Sequence, residues 1–211
     1  DNAVWDDAVR EAYRPTLDTN WLYNTWGAGF KINNLYDGTF VLDEHFNVIW
    51  GSFQSQPFQE TNLDFFGKGL KALIAQHARA LSGDKNIYAG NSKTRSGVAF
   101  VGIGLIRPMV GRLQVTDGTR RYLVITRHLN ARILSDLGST FQIDNLHFTP
   151  DKINELSMPL RSSAGELLGY LNWQARLPGA QAARAASSDI TQIVVLASAL
   201  ILLFILVSSV G

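Results

Sequence analysis

Apolar residues return every three or four positions through the first fourteen residues. Val4, Trp5, Ala8, Val9, Ala12 and Tyr13 form one stripe on a helical wheel. Pro15 ends that helix. Asp18 is placed to cap a second helix carrying Leu22, Trp26 and Phe30, which stops near Asn33 and Asn34. The period then shortens. "YDGTFVLDEHFNVIWGSF", 36 to 53, predicts two β-rich runs around a short polar turn. Helical spacing returns over 62 to 82, with Gly83 just beyond it.

"GVAFVGIGLIR", 97 to 107, predicts a long strand, and "RRYLVITRHL", 120 to 129, predicts another, with an Asp117-Gly118 turn between them. Residues 130 to 137 predict a short helix capped by Gly138. "LSMPLRSSAGELLGYLNWQAR", 156 to 176, predicts a last hairpin turning near 163 to 165. Helices, hairpin, helix, meander and hairpin in that order predict an α+β domain, an antiparallel sheet with helices on one side or end.

The final pattern is unbroken apolarity. "ITQIVVLASALILLFILVSSVG", 190 to 211, holds no charged residue. At about 1.5 Å per residue it reaches roughly 30 Å, the thickness of a bilayer's hydrocarbon core. The predicted organisation is a folded domain over 1–178, a helical juxtamembrane linker over 179–189 and a transmembrane helix over 190–211. A domain followed by one bare span predicts further chain beyond the membrane and before Asp1. With no loop after the span, charge gives no orientation.

Composition changes this picture little. A net charge of +1 without a Lys/Arg run leaves no electrostatic footprint for nucleic acid. The absence of cysteine removes disulfides, thiol catalysis and thiolate metal sites. The histidines at 45, 77, 128 and 147 show no metal-ligand spacing, so neither a metal nor a cofactor is expected. There is no G-x-S-x-G elbow, and Gly102-x-Gly104 is followed by Arg107 where a dinucleotide fingerprint needs glycine. No convergent catalytic set is predicted.

Two patterns remain. Strand alternation puts Val98, Phe100, Gly102, Gly104 and Ile106 on one face, and two missing side chains leave a hollow there. That hollow suits either close packing of a helix or a small ligand. Arg107 at the strand end suits a carboxylate, or simply solvent, and reaches the glycine face only through a bulge. On the first helix Asp7 falls opposite the apolar stripe beside Arg10, whereas Asp6 falls at the edge of the stripe next to Tyr13. Adjacent helical residues point about 100° apart, so the two carboxylates cannot converge on one bond.

"VWDDAVREAY", "NLYDGTFVLDEHFNVIWGS", "GLIRP" and "MPLRSSAGELLGYLNWQARLPG", followed by a span, resemble a CHASE domain of the fourth type, an extracytoplasmic sensory domain of bacterial membrane receptors. Family motif positions match Trp5, Asp6 and Asp7, then Tyr36, Asp37 and Gly38, then Asp43, Arg107 and Pro108. The resemblance implies a PAS- or Cache-like antiparallel sheet with a long N-terminal helix, two spans flanking a periplasmic domain in the bacterial inner membrane, and a homodimer. It implies cytoplasmic GGDEF or EAL output, so that the whole receptor makes or breaks cyclic di-GMP while this portion is not an enzyme. The expected ligand site joins Trp5, Asp6, Tyr36, Phe100, Gly102 and Arg107 around an unidentified small molecule. The rivals are a module that binds a protein partner and a membrane-anchored periplasmic hydrolase.

Overall fold

The computed structural model describes residues 3–32, 35–81, 87–109 and 119–174. The chain divides into two compact units, Asp1–Trp173 and Gln174–Gly211. The juxtamembrane linker and span predicted over 179–211 lie outside the described residues, as does the predicted Asp117-Gly118 turn. Among the described residues, no helix is long and apolar enough to cross a membrane.

The N-terminal helical region corrects the expectation of one long helix. α1 (Asp6–Ala12) has seven residues. Ala3 to Trp5 are drawn away from helical geometry because Val4 forms a parallel bridge with Arg107. Pro15 then ends the segment as predicted. Asp18 accepts a hydrogen bond from the Trp21 N–H (3.0 Å) and so caps α2 (Thr19–Leu22). A π-helical turn, Tyr23–Gly27, interrupts the predicted second helix before α3 (Gly29–Ile32).

Two strands follow as the alternation predicts: β1 (Gly38–Leu42) and β2 (Val48–Phe53) pair antiparallel across the Asp43–Asn47 turn. Asp43 closes that turn by accepting from the N–H groups of His45 and Asn47. A short β3 (Gln56–Pro57) pairs with β2. After a single 3-10 turn comes α4 (Gly67–Leu81). Its first turn lies on the backbone of β4 (Ile87–Thr94): a Cβ on Gly67 would fall 2.3 Å from the Lys93 carbonyl oxygen, at a φ of +63°. Only glycine admits that approach.

β5 (Gly97–Leu105) and β6 (Tyr122–His128) complete a six-stranded sheet in the order β3-β2-β1-β6-β5-β4. α5 (Ala131–Phe141), capped by Asn130, runs past the predicted stop at Gly138. The helix ends instead at Gln142, in the left-handed region. β7 (Asp144–Thr149), β8 (Met158–Arg161) and β9 (Leu167–Gln174) form a second sheet in the order β7-β9-β8. The β8–β9 turn is tied to the large sheet where the Ser163 N–H donates to the Asn91 carbonyl (3.0 Å) and the Asn91 amide donates to the Arg161 carbonyl (3.0 Å).

Helices cover both faces of the large sheet, not one side or end. On one face α4 packs over Phe40, Leu42, Val101, Ile103 and Val124. On the other, α1, α2 and the π turn bury Leu22 and Trp26 against Val41, Ile106 and Leu123. Two apolar stripes need two apolar sheet faces, and the strands supply both: all five residues of β1 are buried. The N-terminal layer covers only part of its face. Over β4 and β5, Ile87 and Phe100 stay 58% and 37% exposed.

Candidate functional site

The best-defined contact between the N-terminal layer and the sheet is at the end of β5. The Trp5 N–H donates to the Arg107 carbonyl (3.1 Å), and the Arg107 N–H donates to the Ala3 carbonyl (3.0 Å). Two residues on, the Met109 N–H donates to the Asp6 carboxylate (3.1 Å). Lower on α1, the Tyr13 hydroxyl donates to the Ile106 carbonyl (3.0 Å) and accepts from the Arg121 N–H (2.9 Å). Burial holds the Tyr13 phenol above its usual range, with Arg121 partly opposing that shift. Trp5, Asp6 and Arg107 thus meet at one place. Arg107 does so through its backbone. Its half-buried side chain has no hydrogen bond or ion pair among the described residues.

The hollow predicted from the glycines lies next to this contact. Gly102, Gly104, Ala3, Ile87, Leu123 and Ile125 line a half-open, apolar recess of about 150 Å³. A Cβ on Gly102 would meet only the Tyr88 carbonyl oxygen, 3.9 Å away, so the space above it is open. Gly104 is more crowded, with Ile87 Cγ1 3.2 Å from such a Cβ. Ala3, in the arm just before Trp5, forms one wall.

Two of the expected residues are elsewhere. Phe100 shares the face of Gly102 but pairs with Arg127 near the other end of β5. It is seven residues from Arg107, roughly 23 Å at about 3.3 Å per residue. Tyr36 sits before the start of β1 with its ring against Gly29 of α3, where a Cβ would approach its ring atoms to 2.3 Å. Burial raises the Tyr36 phenol above its usual value. The six residues therefore do not enclose one volume.

Sequence reasoning also passed over a buried polar chain. Asp37, immediately before β1, accepts from the Thr126 hydroxyl (3.0 Å) and from the His128 N–H (2.7 Å). His128 Nδ1 lies 2.9 Å from the same carboxylate, and its Nε2 lies 2.6 Å from the Thr94 hydroxyl. Thr94 is 5% exposed, so its oxygen is not offered to a substrate. That hydroxyl also donates to the Gly97 carbonyl and accepts from the Ser96 N–H, closing the β4–β5 turn. The pairing of β1 with β6 was the missing link: without it, Asp37 and His128 are ninety-one residues apart. Among the described residues, no group of His, Asp and Glu could hold a metal ion.

Two solved structures of the Vibrio cholerae LuxQ periplasmic domain are similar to this chain, at 12% and 14% identity. Each match covers 80% of this chain and 85% or 84% of that one, with a TM-score of 0.39 in both cases. No curated protein matches the chain. The CHASE4 domain model matches residues 1–149, well over half of the sequence. The chain therefore belongs to the CHASE4 family of extracytoplasmic sensory domains.

Proposed function

We propose that this chain senses an external cue in the periplasm and passes it through a membrane span at 190–211 to a cytoplasmic output. That output is the synthesis or hydrolysis of cyclic di-GMP, in a dimeric receptor of the bacterial inner membrane. The observation that carries the proposal is the pinning of the N-terminal arm: Ala3 to Asp6 are hydrogen-bonded to Arg107 and Met109 at the end of a central strand. A cue acts only through different affinity for two states of a domain. An arm held by a few hydrogen bonds, the Met109–Asp6 one exposed, beside an open recess is an element that can take two positions.

In this reading the cue is felt at the Gly102 recess, with Trp5, Asp6 and Arg107 in the arm contact that borders it. Gly102→Leu tests it, because the added side chain enters open space rather than a packed wall. The expected outcome is a folded receptor with an unchanged melting temperature and a blunted dose–response curve. An unchanged curve in the folded variant overturns the recess as the sensing point.

A specific observation also favours a protein partner. Ile87 and Phe100 stand exposed on the uncovered part of the same sheet face, and exposed apolar side chains suit a protein surface. The hydrolase reading has no such support, since the Thr94 hydroxyl is buried.

A further inference from the structure

A second depression lies at the opposite edge of the sheet, where α2 and the π turn meet β2 and the segment just after β3. It encloses about 430 Å³ and is lined chiefly by Thr19, Asn20, Tyr23, Trp50, Pro57 and Phe58. Small-molecule sites occupy about 300–1,000 Å³, a range that includes this depression.

The wall of this depression is held in several independent ways. The π turn closes where the Ala28 N–H donates to the Tyr23 carbonyl (2.8 Å). The carbonyls of Trp26 and Gly27 are taken up by hydroxyls of the sheet, Thr39 (3.0 Å) and Ser52 (3.2 Å). A Cβ on Gly27 would come within 2.7 Å of the Tyr23 ring, so glycine is required for the turn to lie on β2. The Tyr23 hydroxyl donates to the Ser55 carbonyl (3.2 Å), joining the turn to the β2–β3 hairpin. In that hairpin Gln54 and Ser55 both adopt positive φ, 51° and 58°. Insertions of a π turn into a helical run occur frequently at functional sites.

The geometry points to a binding site for a neutral carbohydrate of one or two rings, between Tyr23 and Trp50, with Phe58 turned into the aromatic core behind it. Two aromatic rings, Tyr23 and Trp50, offer the flat, apolar faces on which the C–H face of a sugar packs. The Thr19 hydroxyl and the Asn20 amide each donate and accept, and the Tyr23 hydroxyl, whose proton goes to Ser55, still accepts, as a ring of hydroxyl groups requires. None of the lining residues carries a charge. A carboxylate or an ammonium would therefore leave water without a counter-charge, which is costly.

Binding is measured on the full 211-residue chain in a non-glycosidic detergent, so the result does not depend on which output the receptor drives. The probes are maltose, cellobiose and N-acetylglucosamine, with glucuronate and glucosamine as charged counterparts, followed by calorimetry and tryptophan fluorescence. At least one neutral sugar should bind saturably and more tightly than its charged counterparts. Trp50→Ala should weaken it at least tenfold, and Trp50→Phe should restore part of the loss. Asn20→Ala, at an exposed position, should weaken binding without lowering the melting temperature, and it decides the matter if Trp50→Ala fails to fold. No saturable binding by any neutral sugar overturns the inference, as does binding that Trp50→Ala and Asn20→Ala leave intact. Equal binding of charged and neutral sugars overturns the assigned class.

Discussion

Asp37 and Tyr13 each close an accounting problem in the packed interior, and each does so with more than one bond. Asp37 accepts from a hydroxyl, a backbone N–H and an imidazole nitrogen at the junction of β1 and β6. Buried polar groups of this kind are tolerated only when satisfied. Tyr13 is the polar tie between α1 and the sheet, donating to Ile106 and accepting from Arg121. Tyr13→Phe should cost about 1–2 kcal/mol, because the Arg121 N–H is left without its acceptor. The pH dependence has a definite sign. The folded phenol titrates above its ordinary value of 10.0, chiefly through burial. The neutral phenol's stabilisation is therefore complete below that value and is lost as pH rises through the folded pKa. Chemical denaturation at increasing alkaline pH should show a decline in stability that is smaller in Tyr13→Phe. Identical slopes in the two proteins would show that Tyr13 does not contribute to it.

At the scale of elements, the arm and α1 decide how the N-terminal layer is attached. Asp6 and Asp7 both lie in the first turn of α1, so the helix dipole favours both alike. What separates them is contact. Asp7 pairs with Arg10 at 2.8 Å in solvent, with both side chains about half exposed. Asp6 holds the Met109 N–H. Asp7→Ala should change stability by no more than about 0.5 kcal/mol, and Asp6→Ala should cost about 1 kcal/mol. Equal melting temperatures for the two variants would contradict the pinning of the arm. This difference was visible in the sequence, because helical periodicity alone puts Asp7 opposite the stripe and Asp6 at its edge. The β1–β2 hairpin, β5, β6, α4 and the β8–β9 hairpin were equally legible from alternation and turn residues. The length of the first helix was not. Its apolar stripe continues back to Val4, but a bridge to Arg107, far along the chain, takes it out of helical geometry. The π turn was hidden for a similar reason, since its displaced carbonyls are satisfied by hydroxyls from β1 and β2. β4, with Gly90, Asn91 and Ser92 at its centre, has a weak strand pattern and is specified by its neighbours β5 and α4.

For the whole molecule, both faces of one antiparallel sheet are used differently. The face under α4 is closed by aromatic packing of Phe40, Phe58, Phe65 and Phe66. The other carries the N-terminal layer, the Gly102 recess and an uncovered apolar margin. Membership of the CHASE4 family makes this an extracytoplasmic sensory domain, and the proposed span at 190–211 connects it to the cell interior. The cysteine-free sequence allows a direct measurement. A single cysteine is placed at Ala164, exposed in the β8–β9 turn, and in a second variant directly after Gly211, in a full-length receptor with no other cysteine. Intact cells are then treated with a membrane-impermeant maleimide. The cysteine at 164 should be labelled in intact cells and the one after Gly211 only once the membrane is broken. Labelling of both in intact cells, or of neither, would contradict the placement of the sensory domain and its output on opposite sides of the membrane.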